Sequence, residues 1–428
     1  MTFPADSTIF AVLSFEGPDV YSQAGGLGVR AKELSRALAS AGYETHLFFL
    51  GDPDLPAEEE ALDGRLRLHR WGQWLSRSHR GGVYDGEDVK VVDWNRSLPS
   101  YLVDHLVEPA ARAGKLMVVL GEEWHTADSM RLIAEALFYR GLRDRAVILW
   151  NANNTFGFHR INWRELEASA TLTTVSRYMK HRMWEVGVNP IVIPNGIPAA
   201  ALVDAPAADV SALRAAAGAD LLLFKIGRFD PDKRWIMAMT AAGLLKRQGL
   251  RVRVLMRGGR EPHGADVLAH AATHGLVVED SRSPQDQASL LRLFKTHAGA
   301  DVVNLVSFLP EGLLGTLYAA SDAVLANSGH EPFGLVGLEV MAAGGLAVTG
   351  STGEDYAEPF RNAVVLETED PLELVGALRQ VRSQPAWAAH LRANGRATAR
   401  EFTWDHVLDQ LRYWLDLAAL RQGVERLS

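Results

Sequence analysis

The sequence predicts an α/β protein built from two doubly wound parallel-sheet domains, and three observations point there. Short apolar runs of strand length alternate with longer amphipathic runs of helix length, as in parallel sheets covered by helices. The alternation comes in two series, separated by a stretch rich in Pro, Ala and Gly at residues 193–209. The chain of 428 residues is also long for one core and comfortable for two.

In the first series, residues 8–14 read as a strand, 28–40 as a helix with Gly42 just past its end, and 44–50 as the next strand. Residues 115–120, 146–150 and 171–175 continue that sheet. The second series opens at 221–226 and runs through 252–256, 301–306, 323–326 and 346–349. A closing helix is expected over 404–424, with Trp404, Leu408, Leu411, Trp414 and Leu415 on one side. Ligands of such sheets are expected at the carboxyl ends of the strands, where the two domains would face each other.

Composition narrows the class. Hydrophobic residues make up 47% and charged residues 22%, ordinary globular usage. A formal net charge of −8 argues against nucleic acid as a partner. Without cysteine, disulfides and thiolate zinc sites are excluded, and a cytoplasmic location fits. The N-terminal residues lack a basic leader, so no signal peptide is expected. No uncharged apolar run reaches membrane-spanning length, and only peripheral membrane contact stays open.

The most informative segment is N-S-G-H-E-P-F-G-L-V-G-L-E-V-M-A-A-G-G, from Asn327 to Gly345. Pro332 is allowed at a helix entrance, and Leu335, Leu338, Val340 and Met341 supply an apolar stripe. A helix opening at Pro332 would put Glu331 at its mouth and Glu339 two turns on, about 12 Å away. The free N–H groups of the first turn could then hold a diphosphate, with a carboxylate at each end of the ligand. A core helix with two solvated acids has the same spacing.

Other segments sharpen the choice. Gly26-Leu27-Gly28-Val29-Arg30-Ala31 formally matches a dinucleotide fingerprint, but residues 15–24 separate it from the strand, too many for that turn. A glycine-rich loop at a helix start still suits an anionic or sugar ligand, or serves only as a flexible loop. In K-I-G-R-F-D-P-D-K-R-W, Arg228 and Lys233 flank a turn and could clamp a diphosphate. Asp230-Pro231-Asp232 reads as turn formers rather than metal ligands. His125 follows a buried strand, where it faces a cleft or packs structurally. Asn153-Asn154-Thr155, Thr174-Val175-Ser176 and Pro194-Asn195-Gly196 read as polar strand exits. Trp71, Trp74 and Trp94, amid Arg70, Arg77 and Arg80, suit a sugar or phosphorylated acceptor, or partly buried packing.

Taken in order, these segments resemble the retaining glycosyltransferases of family 4, with their two-Rossmann GT-B fold. The resemblance rests on Gly25-Gly26-Leu27-Gly28, Thr174-Val175-Ser176, Pro194-Asn195-Gly196-Ile197, Gly227-Arg228-Phe229 with Lys233, Leu317-Tyr318 with Ser321-Asp322, and Glu331 to Gly345. It implies an acceptor-binding domain over 1–197 and a nucleotide-sugar domain over 198–403, with the 404–424 helix crossing back onto the first. By that likeness Arg228 and Lys233 hold the donor diphosphate, and Glu339 holds the ribose hydroxyls. Glu331 lies against the donor sugar, with the amides of Gly334 and Leu335 near the phosphates. His125 contacts the transferred sugar, Gly25 and Gly26 approach the diphosphate, and Phe308 and Leu309 flank the base. Phe308-Leu309-Pro310-Glu311 lacks the family's usual glycine, and Val340 replaces a common Ala. The double-glycine loop is also similar to that of glycogen and starch synthases, but Gln23 stands where those enzymes carry a lysine.

The implied reaction moves a hexose from a UDP-, ADP- or GDP-linked donor to an acceptor hydroxyl with retention, without metal or other cofactor. Sugar-nucleotide epimerisation on the same fold and non-catalytic sugar-nucleotide binding are the alternatives. A glycoside hydrolase using Glu331 and Glu339 fits poorly, because it leaves Arg228 and Lys233 without a role.

Overall fold

The computed structural model describes residues 3–424. The chain forms two compact units, one from the described residues up to Gly196 together with those from Phe402 onward, the other spanning Ile197–Glu401.

The first unit carries an eight-stranded sheet made of β1 (Thr8–Leu13), β2 (Glu44–Leu50), β3 (Glu58–Ala61), β4 (Leu66–Trp71), β5 (Leu116–Glu122), β6 (Ala146–Ala152), β7 (Thr171–Thr174) and β8 (Ile191–Val192). Its order is β3-β4-β2-β1-β5-β6-β7-β8, parallel except for the antiparallel β3–β4 pair. β1 is central, with Phe10 opposite Thr45 on one side and Val118 on the other. Every residue of β1 is buried, which is why T-I-F-A-V-L reads as a continuous run instead of an alternating one. The Trp404–Gln422 helix completes this unit: Trp404, Leu408, Leu411 and Leu415 share a core with Phe10, Leu34, Leu38 and Leu149.

The second unit carries a seven-stranded, all-parallel sheet of β9 (Leu221–Ile226), β10 (Val252–Arg257), β11 (Val278–Ser281), β12 (Val302–Leu305), β13 (Ala323–Ala326), β14 (Ala347–Thr349) and β15 (Val364–Val365). Its order is β11-β12-β10-β9-β13-β14-β15. Trp235, Met239 and Leu245 of the Trp235–Arg247 helix pack against one sheet face with Leu374 and Leu378 of the Pro371–Ser383 helix.

For Trp94 the structure selects packing from the two roles the sequence leaves open. Trp94 lies on the Glu87–Leu102 helix and is fully buried. The Arg70 guanidinium grips Asp19 through two hydrogen bonds of 2.9 and 3.0 Å and also reaches Glu59, and Arg80 pairs with Asp54. The Arg70 pair with Asp19 is buried and the Arg80 pair with Asp54 lies at the surface; of the three tryptophans only Trp74 is largely exposed.

Candidate functional site

In the second unit the loops leaving β9, β13 and β14 converge. After β9 the chain turns through Pro231–Lys233, where the Asp230 side chain accepts from the Asp232 amide at 2.9 Å. Asp230 is therefore a turn former, as its place before Pro231 suggests. Asp232 in turn accepts from the His330 amide at 3.1 Å, fastening this turn to the segment after β13. Lys225, fully buried on β9, donates to Leu325 O at 3.0 Å and to Asn327 Oδ1 at 2.6 Å, which fixes where that segment begins.

With the two segments joined, Lys233 Nζ bonds the Glu331 carboxylate. The Glu331 amide donates to Thr352 Oγ1 at 2.8 Å, bringing in the loop after β14. That loop passes so close that a Cβ on Gly353 would lie 2.1 Å from Glu331 O. Arg228 is exposed beside the same turn, while its carbonyl accepts from Trp235 Nε1 at 2.8 Å.

The helix begins later than the sequence suggests. Gly334 sits at φ 81° as the N-cap, and the helix spans Leu335–Ala342. A left-handed Gly334 breaks any helix that Pro332 could start, so Glu331 stands four positions ahead of the first helical residue. The expected helical rise of about 12 Å between Glu331 and Glu339 therefore does not apply. The amides of the first helical turn, Leu335 onward, lack intrahelical partners, and the N-cap Gly334 lies against Glu331, a Cβ built there coming within 3.2 Å of its Cγ. Farther along, Tyr318 Oη donates to Glu339 at 3.3 Å, and burial lifts the Glu339 carboxyl to about 7. Phe308 is exposed, whereas Leu309 is buried in the core, so the Leu309 side chain faces inward.

In the first unit the glycine loop is organised by a residue that sequence reading passed over. Glu16 Oε2 accepts from the amides of Ala24, Gly25 and Gly28 at 3.1, 2.8 and 3.1 Å, and Tyr84 Oη donates to Oε1 at 2.5 Å. With these amides capped, the helix starts at Gly26, two residues earlier than expected. The amide of Gly25 expected to meet a diphosphate is thus already bonded to a carboxylate. A glycine loop with an acid eight or nine residues upstream was the signal available.

His125 is stacked between Phe15 and Trp124 at ring distances of 4.1 and 4.0 Å. Its Nε2 lies 2.8 Å from Glu87, and burial lowers its pKa against the opposing pull of Glu87. Next to it Glu123 has φ 65°, and burial raises its carboxyl to about 8 although it accepts from the amides of Asn153 and Asn154. Glu122 binds Arg30 at 3.1 Å and accepts from the Asn151 and Asn153 side chains. Arg30 also bonds Asn195. Asn153 and Asn195, which look like simple turns in the sequence, belong to one buried network. No group of three or more His, Asp or Glu side chains suited to one metal ion occurs among the described residues. Nor is any helix among them long and apolar enough to cross a membrane.

This pair of parallel sheets is the GT-B fold. The chain resembles, at TM-score 0.68 and 19% identity, the sucrose-phosphate synthase of Thermosynechococcus elongatus, covering 96% of this chain and 100% of that one. A structure of Anabaena HepE in complex with UDP gives TM-score 0.61 and 16% identity, covering 96% and 99%. Residues 24–201 match the family model "Glycosyltransferase Family 4" and residues 213–398 match "Glycosyl transferases group 1". The chain belongs to the family 4-type glycosyltransferases. D-inositol 3-phosphate glycosyltransferases from Thermomonospora curvata and Actinosynnema mirum are 28% and 30% identical over 45% of this chain. Those alignments span 41% and 43% of the relatives' length, less than half. The homologous protein of Frankia alni is 24% identical over 93% of this chain and 96% of its own.

Proposed function

We propose that the protein transfers a hexose from a nucleotide diphosphate sugar to an acceptor hydroxyl, retaining the anomeric configuration and using no metal. The observation that carries this is the junction in the second unit, where Lys233, Glu331 and the open amides of the Leu335–Ala342 helix meet, with exposed Arg228 beside them. In this reading the bond from the anomeric carbon to the diphosphate oxygen breaks, and its electron pair leaves with the phosphate. Arg228, Lys233 and the helix amides take up that charge, each cation contributing about 2–4 kcal/mol. The acceptor oxygen forms the new bond to the anomeric carbon and gives its proton to the departing phosphate. Glu331 orients the sugar, Glu339 accepts from the ribose hydroxyls, and exposed Phe308 lies against the base. His125, with Glu87 behind it, contacts the transferred sugar, and the Gly26 amide approaches the diphosphate.

The test is nucleotide release from UDP-, ADP- and GDP-sugars, with and without acceptors. The relatives' names direct the panel to inositol phosphate and hexose phosphates. Release that depends on one acceptor and yields a product of unchanged anomeric configuration is the expected result. Epimerised donor, or binding without turnover, would overturn it.

A further inference from the structure

Glu354 lies in the loop after β14 and is only 5% exposed. Neither carboxyl oxygen has a partner at full hydrogen-bond geometry among the described residues, although the amides of Glu354 and Thr352 lie near enough to favour its charged form. An ionised carboxylate left this way costs far more than a fold tolerates without a cation or good donors. The charged and titratable groups facing it are Glu331, Lys233 and Tyr356. Lys233 is already bonded to Glu331, and Tyr356 Oη donates to Gly334 O. Burial and Glu331 push the Glu354 carboxyl up to about 8, and the amides of Glu354 and Thr352 and the Lys233 charge do not offset them.

The location gives that proton a use. A Cβ built on Gly334 would come within 2.7 Å of Glu354 Cγ, 3.0 Å of Tyr356 Oη and 3.2 Å of Glu331 Cγ. The Glu354 side chain therefore packs against Gly334, the N-cap of the Leu335–Ala342 helix, whose first-turn amides lack intrahelical partners. Resting on the nucleotide-sugar reading above, we propose that Glu354 is a proton-bearing binding residue that donates a hydrogen bond to a phosphate oxygen held at this helix N-terminus. An ionised Glu354 would repel the same phosphate; a neutral acid adds a donor where the amides already supply several. Bound diphosphate then holds the proton on Glu354, so binding takes up a proton wherever the free protein has lost it.

The experiment is calorimetry of the full chain with UDP, ADP and GDP from about pH 7.5 to about pH 9.5, in buffers of different ionisation enthalpy. For the wild type, Kd should rise as the pH passes about 8, approaching tenfold per unit, with uptake of close to one proton. Glu354→Gln keeps the shape and a donor but does not titrate; it should bind like wild type at the lower end, with a flatter pH profile and without that uptake. Glu354→Ala, checked by melting, should bind roughly tenfold more weakly at the lower end. A Glu354→Gln protein that keeps the wild-type pH slope and proton uptake overturns the proposal. If no nucleotide binds the folded wild type, the nucleotide-sugar reading fails, and this proposal falls with it.

Discussion

Glu339→Gln should make the protein more stable and its ligand binding weaker, and the stability gain should depend on pH. Burial raises the Glu339 carboxyl from 4.5 to about 7, so the folded protein holds a proton that the unfolded chain has released. The resulting penalty is absent below the unfolded value, grows between the two values and is complete above the folded one. At about 1.36 kcal/mol per unit, the carboxylate costs roughly 3 kcal/mol at about pH 8.5 and roughly 1.4 kcal/mol at about pH 5.5. Gln carries no such penalty, so its advantage should be about 2 kcal/mol larger at the higher pH. For a unit of this size that difference is about 4–8 °C in melting temperature. Thermal melts of both proteins at the two pH values provide the measurement. Contributions from Glu354 are common to both proteins and cancel. In donor titrations at about pH 8.5, where Glu339 is ionised, the same substitution should raise Kd about 10- to 100-fold, the worth of a hydrogen bond to a charged group. A stability difference identical at both pH values would refute the claim that Glu339 is held protonated by burial.

Three further outcomes are expected. Glu331→Ala should lower turnover most and Glu339→Ala should mainly weaken donor binding, because the sugar contact changes toward the transition state and the ribose contact does not; steady-state kinetics with matching defects would contradict this. Lys233→Ala should weaken nucleotide diphosphate binding by about 1.5–3 kcal/mol, read by calorimetry, and equal binding would remove Lys233 from the site. Trp404→Ala, at a side chain 5% exposed in the first unit's core, should cost about 3–5 kcal/mol and lower the melting temperature without altering nucleotide affinity.

Strands buried on both faces were legible as near-continuous apolar runs, which the single Lys225 does not disguise: Leu221–Ile226 and Ala323–Ala326 match the expected ranges. Edge strands escaped. E-E-E-A at Glu58–Ala61 and V-E-D-S at Val278–Ser281 show no apolar run, since backbone pairing along one side is what makes them strands. The helix start at Leu335 was hidden because Pro332 permits an earlier one, and only the positive φ of Gly334 forbids it. Trp94 was left undecided by its company: arginines nearby in sequence turn to Asp19, Glu59 and Asp54, while its own ring is buried in the core. Glu16 and Glu354 were passed over for a related reason, since what marks them is what surrounds the carboxyl, and composition does not display surroundings.

The placement of the Trp404–Gln422 helix in the first unit sets an order of events during synthesis. The sheet that begins at Thr8 emerges first, yet Trp404, Leu408, Leu411 and Leu415, which close its core over Phe10, Leu34 and Leu149, follow only after the whole of the other unit. At roughly 5–20 residues per second, the gap of roughly 200 residues leaves that apolar surface waiting for about 10–40 s. The unit that starts second can finish first. Until its last helix arrives, the earlier one keeps that part of its core open to water.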